Sequence, residues 1–386
     1  MKIAFIRFPK SLYQSGKKIL GGSEIANQYL IDYFRSKEIE VIEFSPKTPD
    51  RIEIGELPAI GTLLMFQDLI RQSDEINKCD VMISSHWFCA IVPEITIPVI
   101  TIYHSNARLV LRSINDSLGV EESIFDKWLA RLEKYGLGKR SHDSIFDQII
   151  SISEEYLLKK SAKTVAVSNF LKETLIEDYK IDPEKIKVIY NINPIDWINR
   201  EVKKDFSQQR LRVINVTRLP VEYSAIKPKG IDRIFEIFSK AANVDKYMLG
   251  STITGKYKDF MQSNFSDVNF IENATREEVF DNVSKSHILF QSSRCESFGL
   301  SLTEAMLTGT IPITFPVGVA GEIIENGKNG FIVHSVEEVV ERIDYLDKNR
   351  QILDEISQNA RKTVLSKMSD EAVGEEYIKL IREIIE

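Results

Sequence analysis

Short apolar runs rich in valine and isoleucine recur along this chain in two series. The first comprises residues 2–8, 39–44, 80–84, 97–103, 163–167 and 186–190. The second follows a charged stretch, Glu201–Arg212, and comprises 211–217, 246–249, 268–271, 287–290 and 311–314, with 330–333 as a last short run. Runs without strict polar alternation suit strands covered on both faces, the setting of a parallel sheet. Parallel neighbours need crossovers long enough to hold a helix, and most of the gaps are. The doubling predicts an α/β fold of two doubly wound, Rossmann-like domains facing across a cleft. The expected division is 1–200, 201–365, and a C-terminal helix over 366–386 free to cross back to the first domain. A length of 386 residues suits two cores better than one.

Composition narrows the class of partner. Hydrophobic residues make up 43% and charged residues 28%, a globular balance, and the formal net charge is −7. That charge argues against a chain that binds nucleic acid by its overall field. The three cysteines, Cys79, Cys89 and Cys295, form no CxxC pair, which points to a reducing compartment and a cytoplasmic location. The N-terminal apolar run has strand length and lacks the features of a signal peptide. No run approaches the roughly 20 apolar residues that span a bilayer. Contact with a membrane surface stays open.

The most informative stretch is Glu296-Ser-Phe-Gly-Leu-Ser-Leu-Thr-Glu304, placed between an apolar strand and a predicted helix. Gly299 lets backbone approach a ligand closely. The free N–H groups at the start of the helix, near Phe298, Gly299 and Leu300, favour an anion such as a diphosphate. Glu304, further along, can accept two hydroxyl hydrogen bonds, as from a ribose. Glu296 precedes the helix and can face a transferred sugar. The plainer alternative makes Glu296 a helix cap and Glu304 part of a solvated face.

This stretch resembles the E-x7-E signature of retaining GT-B glycosyltransferases of family 4, and the resemblance extends over nearly the whole chain. Gly21-Gly22-Ser23-Glu24 resembles the family's N-terminal glycine loop. Ser85-His86-Trp87 and Tyr103-His104-Ser105 resemble its two His-containing strand ends. Val167-Ser168-Asn169-Phe170-Leu171 and Tyr190-Asn191 match later landmarks, as do Val317–Glu325 and Gly327-Lys328-Asn329-Gly330-Phe331. Arg218-Leu219 and Lys229-Gly230 match its basic phosphate-binding pair.

The resemblance implies a retaining transferase that takes a hexose or related sugar from a nucleotide-sugar donor, a UDP-sugar by preference. It implies front-face attack assisted by the leaving phosphate, with no enzyme nucleophile. The catalytic residues would be His104, Glu296, Arg218 and Lys229. The donor would be held by Gly22, Arg218, Lys229, Asn273, Glu296, Phe298, Gly299, Leu300 and Glu304. His86 and Arg108 fall on the acceptor side. Arg218 and Lys229 would neutralise the departing diphosphate. Their spacing is longer than usual for the family, and Lys227 is a rival to Lys229. Thr252 stands where the family often has a second glycine after Gly250. The sequence has no Asp-x-Asp triplet, so neither a metal bound through that motif nor a cofactor is expected.

The acceptor is not legible. A glycan or lipid-linked glycan in polysaccharide, glycolipid or glycoconjugate synthesis is favoured. A bacteriophage-type DNA glycosyltransferase is an alternative, as are an inactive nucleotide-sugar-binding protein and a GT-B epimerase. Residues 125–140 bear on this choice. Phe125, Trp128, Leu129, Leu132 and Tyr135 recur at helical spacing beside a cluster of lysines and arginines. The apolar face either packs on the N-terminal sheet or lies on an anionic membrane, or the cations track a phosphate backbone.

Overall fold

A computed structural model describes residues 1–7, 22–45, 67–85, 94–115, 121–138, 144–252 and 254–386. It divides into two compact units. Unit 1 consists of Met1–Leu111, Asp143–Ile192 and Asp370–Glu386, and unit 2 of Arg112–His142 and Asn193–Ser369.

Unit 1 is built on a six-stranded sheet of β1 (Lys2–Ile6), β2 (Glu40–Phe44), β3 (Val81–Ser84), β4 (Val99–Tyr103), β5 (Lys163–Ala166) and β6 (Ile186–Val188). The order is β2-β1-β3-β4-β5-β6 and every pairing is parallel. Unit 2 repeats the plan with β7 (Leu211–Arg218), β8 (Val244–Ser251), β9 (Val268–Glu272), β10 (Ile288–Gln291), β11 (Ile311–Thr314) and β12 (Phe331–Ile332). Its order is β12-β11-β10-β7-β8-β9, again all parallel. Each apolar run of the sequence has thus become a strand. Ile3, Phe5, Val81, Ile83, Ile214, Ile288, Phe290 and Ile311 are fully covered, as strands with helices on both faces require.

The helices that bear on function are α1 (Gly22–Ser36), α2 (Ala107–Asn115), α3 (Glu122–Glu133), α4 (Ser144–Lys160), α5 (Asn169–Tyr179), α6 (Ile231–Lys240), α7 (Arg276–Ser284), α8 (Leu300–Leu307) and α9 (Asp370–Ile385). The last of these belongs to unit 1. Tyr33 on α1 donates to Glu375 on α9 at 2.8 Å, and the Phe34 and Tyr377 rings meet edge to face at 6.4 Å.

Residues 112–142 lie in unit 2 and not with the N-terminal domain where the sequence reading put them. The reason is the apolar stripe on α3. Phe125, Trp128, Leu129 and Leu132 are buried in the same core as Ile231, Phe235 and Phe265. Trp128 stacks on Phe265 with ring centroids 5.3 Å apart and donates its indole N–H to Glu236 on α6 at 2.9 Å. Lys127 pairs with the same Glu236 carboxylate at 2.7 Å. This stripe is therefore occupied by protein, while Lys127, Arg131 and Lys134 stay exposed. Among the described residues no helix is long and apolar enough to cross a membrane.

Candidate donor and acceptor sites

In an open parallel sheet, ligands bind beyond the carboxyl ends of the strands, at the point where strand order reverses. In unit 2 that point lies between the neighbours β7 and β10. β7 ends at Arg218, which is exposed and has no side-chain partner among the described residues. β10 runs into Ser292 and Ser293 and then into Glu296. The two halves of the site are tied together through backbone. The amides of Arg294 and Cys295 both donate to the carbonyl of Pro228, at 2.7 and 3.2 Å. The Arg294 guanidinium donates to Lys227 O at 3.0 Å and grips Asp232 at two points, 2.7 and 2.6 Å. Both side chains of that pair are at most 3% exposed. Removing one partner of a buried pair is costly, because the charge left behind is uncompensated.

The result is that Lys229 and Glu296 are brought face to face. Lys229 Nζ lies 2.7 Å from Glu296 Oε1, which also accepts from Ser293 Oγ at 2.8 Å. Gly230 makes the approach practicable. It adopts φ +60°, and a Cβ there would stand 2.1 Å from the carbonyl oxygen of Ser292. The two rival lysines differ in setting: Lys227 is buried and donates to the backbone carbonyl of Ile114 at 3.1 Å.

Helix α8 begins at Gly299, with φ +100° and no side-chain cap. The Leu302 and Thr303 amides turn back to the Gly299 carbonyl, at 3.0 and 3.3 Å, and with no capping side chain the amides of Leu300 and Ser301 have no intrahelical partner. Phe298 is buried, its carbonyl accepting from Val319 N at 3.0 Å, while Leu300 opens the helix half-buried. Glu304, one turn further, is 5% exposed rather than solvated. Its carboxylate is held by Arg276 on α7, which donates through Nη2 at 2.6 Å and through Nη1 at 3.3 Å. Asn273 sits in left-handed conformation just after β9, and its Oδ1 accepts from Thr252 N at 2.8 Å. It thus joins the ends of β8 and β9, where the missing second glycine would have been.

Unit 1 has a separate cavity of about 180 Å³ beyond the ends of β3 and β4. Ser23, Glu24, Ser85, His104, Ser105 and Glu154 line it. Gly22, the first residue of α1, is exposed beside them. His104 Nε2 lies 3.1 Å from Asn27 Oδ1, and Asn27 Nδ2 donates to Ser85 Oγ at 2.6 Å. His104 Nδ1 is buried with no hydrogen-bond partner among the described residues. Burial lowers the His104 pKa to about 4, so the imidazole is neutral at physiological pH. Arg108 does not turn toward this cavity. It donates to Ser151, to the carbonyl of Asp178 and to Glu155, and lies over the Tyr179 ring. Gly21 and His86 lie outside the described residues.

Behind His104 sits a carboxylate that the sequence did not single out. Glu154 on α4 is 4% exposed. One of its oxygens accepts from the first amide of α2, Ala107 N, at 3.0 Å and from the Tyr179 hydroxyl. Burial raises its pKa to about 7, against the opposing pull of those bonds and of Arg108. Its sequence neighbourhood, Ser-Glu-Glu-Tyr, reads as an ordinary helix surface, and nothing in the periodicity distinguishes Glu154 from Glu155.

Two family profiles match successive parts of the chain. Residues 20–195 match Glycosyltransferase Family 4, and residues 222–363 match Glycosyl transferases group 1. The chain belongs to the GT-B glycosyltransferases of the family 4 type. It is similar to the capsular polysaccharide biosynthesis glycosyltransferase CapM of Staphylococcus aureus, with 26% identity over 57% of this chain and 63% of CapM. The chain spans 53 to 62% of the length of the first curated relatives it matches. Among solved structures it is similar in fold to the sucrose-phosphate synthase of Thermosynechococcus elongatus, at 14% identity and a TM-score of 0.75 over 99% of this chain and 98% of that one. Anabaena Alr3699/HepE in complex with UDP and glucose matches at 17% identity and a TM-score of 0.66 over 99% of both chains. In this GT-B transferase, Lys229, Glu296, Gly299 and Glu304 fall within the residues matched by the group 1 profile, and Gly22 and His104 within those matched by the family 4 profile, while Arg218 lies just before the former.

Proposed function

We propose that the chain is a retaining glycosyltransferase that moves a hexose from a UDP-sugar to an acceptor hydroxyl in the synthesis of a polysaccharide, glycolipid or related glycoconjugate. One observation carries the reading: near the strand-order reversal of unit 2 the chain bears two cations, two carboxylates and an uncapped helix start, the kinds of group that suit a nucleotide sugar. Lys229 and Arg218 meet the diphosphate and stabilise the charge that develops on it as the glycosidic bond breaks. The first amides of α8 bind the same group. Glu304 receives the ribose hydroxyls, and Glu296 faces the sugar once the diphosphate draws Lys229 away from it. In unit 1, His104 is neutral and keeps a nitrogen for a sugar hydroxyl. The acceptor attacks the face from which the diphosphate leaves, and a phosphate oxygen takes its proton.

The names of CapM and of the UDP complex of Alr3699/HepE support the polymer-building role and the uridine donor. The test is a thermal-shift panel of UDP, GDP, ADP and their sugars, followed by acceptor screening with the winner. Stabilisation by UDP and UDP-sugars is expected, together with a product whose anomeric proton coupling matches that of the donor. Stabilisation by none of the nucleotides would remove the transferase reading, and an inverted product would remove retention.

A further inference from the structure

Glu304 is not held by the helix that carries it. Its partner comes from α7, whose start is fixed by a reciprocal cap: Glu278 N donates to Thr275 Oγ1 at 3.2 Å, and Thr275 N to Glu278 Oε2 at 2.7 Å. That cap places Arg276 at the first helical position. The guanidinium lies over the Trp197 ring, 4.6 Å from its centroid, and Trp197 is 1% exposed and wedged against Phe280 at 5.1 Å. From this seat the fork meets the Glu304 carboxylate at two points, one nitrogen to each oxygen.

A carboxylate has about four acceptor positions, two on each oxygen. A two-point arginine pair uses one on each and fixes the plane of the group, which a single lysine contact cannot do. The unused position on each oxygen then points in a set direction, and a ribose with vicinal hydroxyls presents two donors to match. Arg276 is 39% exposed in its side chain against 6% for Glu304, so the pair lies at the edge of the site with its carboxylate inward.

We propose that Arg276 is the positioning residue that aims Glu304, and that this pair sets the preference for ribonucleotide over 2′-deoxyribonucleotide donors. The proposal rests on the reading of Glu304 as the ribose anchor. Arg276 remains bound to Glu304 in the donor complex and does not itself touch the nucleotide. Removing it leaves Glu304 in place but free to rotate, which costs the contact that distinguishes the 2′-hydroxyl.

The experiment is calorimetry of UDP and 2′-deoxy-UDP with the wild-type chain and with Glu304→Ala, Arg276→Ala and Arg276→Lys, with melting temperatures alongside. Losing one hydrogen bond to a charged group should make 2′-deoxy-UDP bind at least about tenfold more weakly to the wild type. Glu304→Ala should erase that ratio. Arg276→Ala should bring it below about threefold, and Arg276→Lys, which keeps the charge but loses the fork, should fall between. A full ratio in both Arg276 variants, with Glu304→Ala flat, would overturn the positioning role and leave the ribose anchor standing. A full ratio in Glu304→Ala would overturn the anchor itself, and the proposal with it. Arg200→Ala, a neighbouring surface cation paired with Glu277 at 2.7 Å, is the control that should leave the ratio unchanged.

Discussion

Lys229 and Glu296 neutralise one another across 2.7 Å, although they lie far apart in the chain on the two loops that Pro228 joins. On the proposed reading, the cation that meets the diphosphate and the carboxylate that faces the sugar are each other's partner until a donor arrives. Neither is fully desolvated, at 33% and 18% side-chain exposure, so the pair can open at small cost.

Two lysines should respond to substitution in opposite ways. Lys229→Ala and Arg218→Ala should lower turnover at least about tenfold, by losing charge stabilisation of the leaving group, while melting temperature changes little. Lys227→Ala should lower the melting temperature, because it deletes a buried stem and the bond to Ile114 O. Donor turnover and calorimetric melting on the same preparations check this. A silent Lys229→Ala beside a catalytically dead, well-folded Lys227→Ala would reverse the assignment.

Glu304→Ala should weaken binding of the nucleoside diphosphate by about 1.5–3 kcal/mol, the range for hydrogen bonds to a charged group. The fold should tolerate the change because Arg276 is partly exposed and can turn to water. Unchanged affinity in titration calorimetry would assign the carboxylate a purely structural role.

Gly230→Ala should be more damaging than its size suggests. The left-handed φ costs an alanine about 1 kcal/mol or more, and the Cβ would meet the Ser292 carbonyl at 2.1 Å, so the loop must shift. Lys229 would move with it. Both melting temperature and donor turnover should fall, and an active, equally stable variant would show that the loop yields freely.

Glu154 should make unit 1 sensitive to pH. Its folded pKa, raised to about 7, exceeds the ordinary 4.5, so the folded chain holds a proton that the unfolded chain has released. Its contribution is fully favourable below about pH 4.5 and is lost as pH rises toward 7, by up to about 3 kcal/mol. Glu154→Gln keeps an acceptor for Ala107 N and Tyr179 and has no charge to bury. Its melting temperature should therefore gain on the wild type between pH 4.5 and 7. A constant difference across that window would show that Glu154 titrates normally.

The sequence by itself determined the twelve strands of the described residues and the parallel α/β class, because buried strands and helix starts are local patterns of apolarity and chain geometry; the family was legible as a resemblance of its motifs. It also placed Gly299 at a helix start, since only a glycine accepts that backbone comfortably. What tertiary structure decided was partnership. A stripe at helical spacing announces that α3 buries Phe125, Trp128 and Leu132, but not that the surface it covers is α6 of unit 2. Lys227 and Lys229 are alike in sequence, and only the packing around Ile114 buries one and leaves the other to Glu296. Arg276 and Glu154 carried no local signal, because each acts on a residue far along the chain. Periodicity reports which face a side chain is on; the burial and hydrogen bonding that give it a function come from elements the chain brings together only on folding.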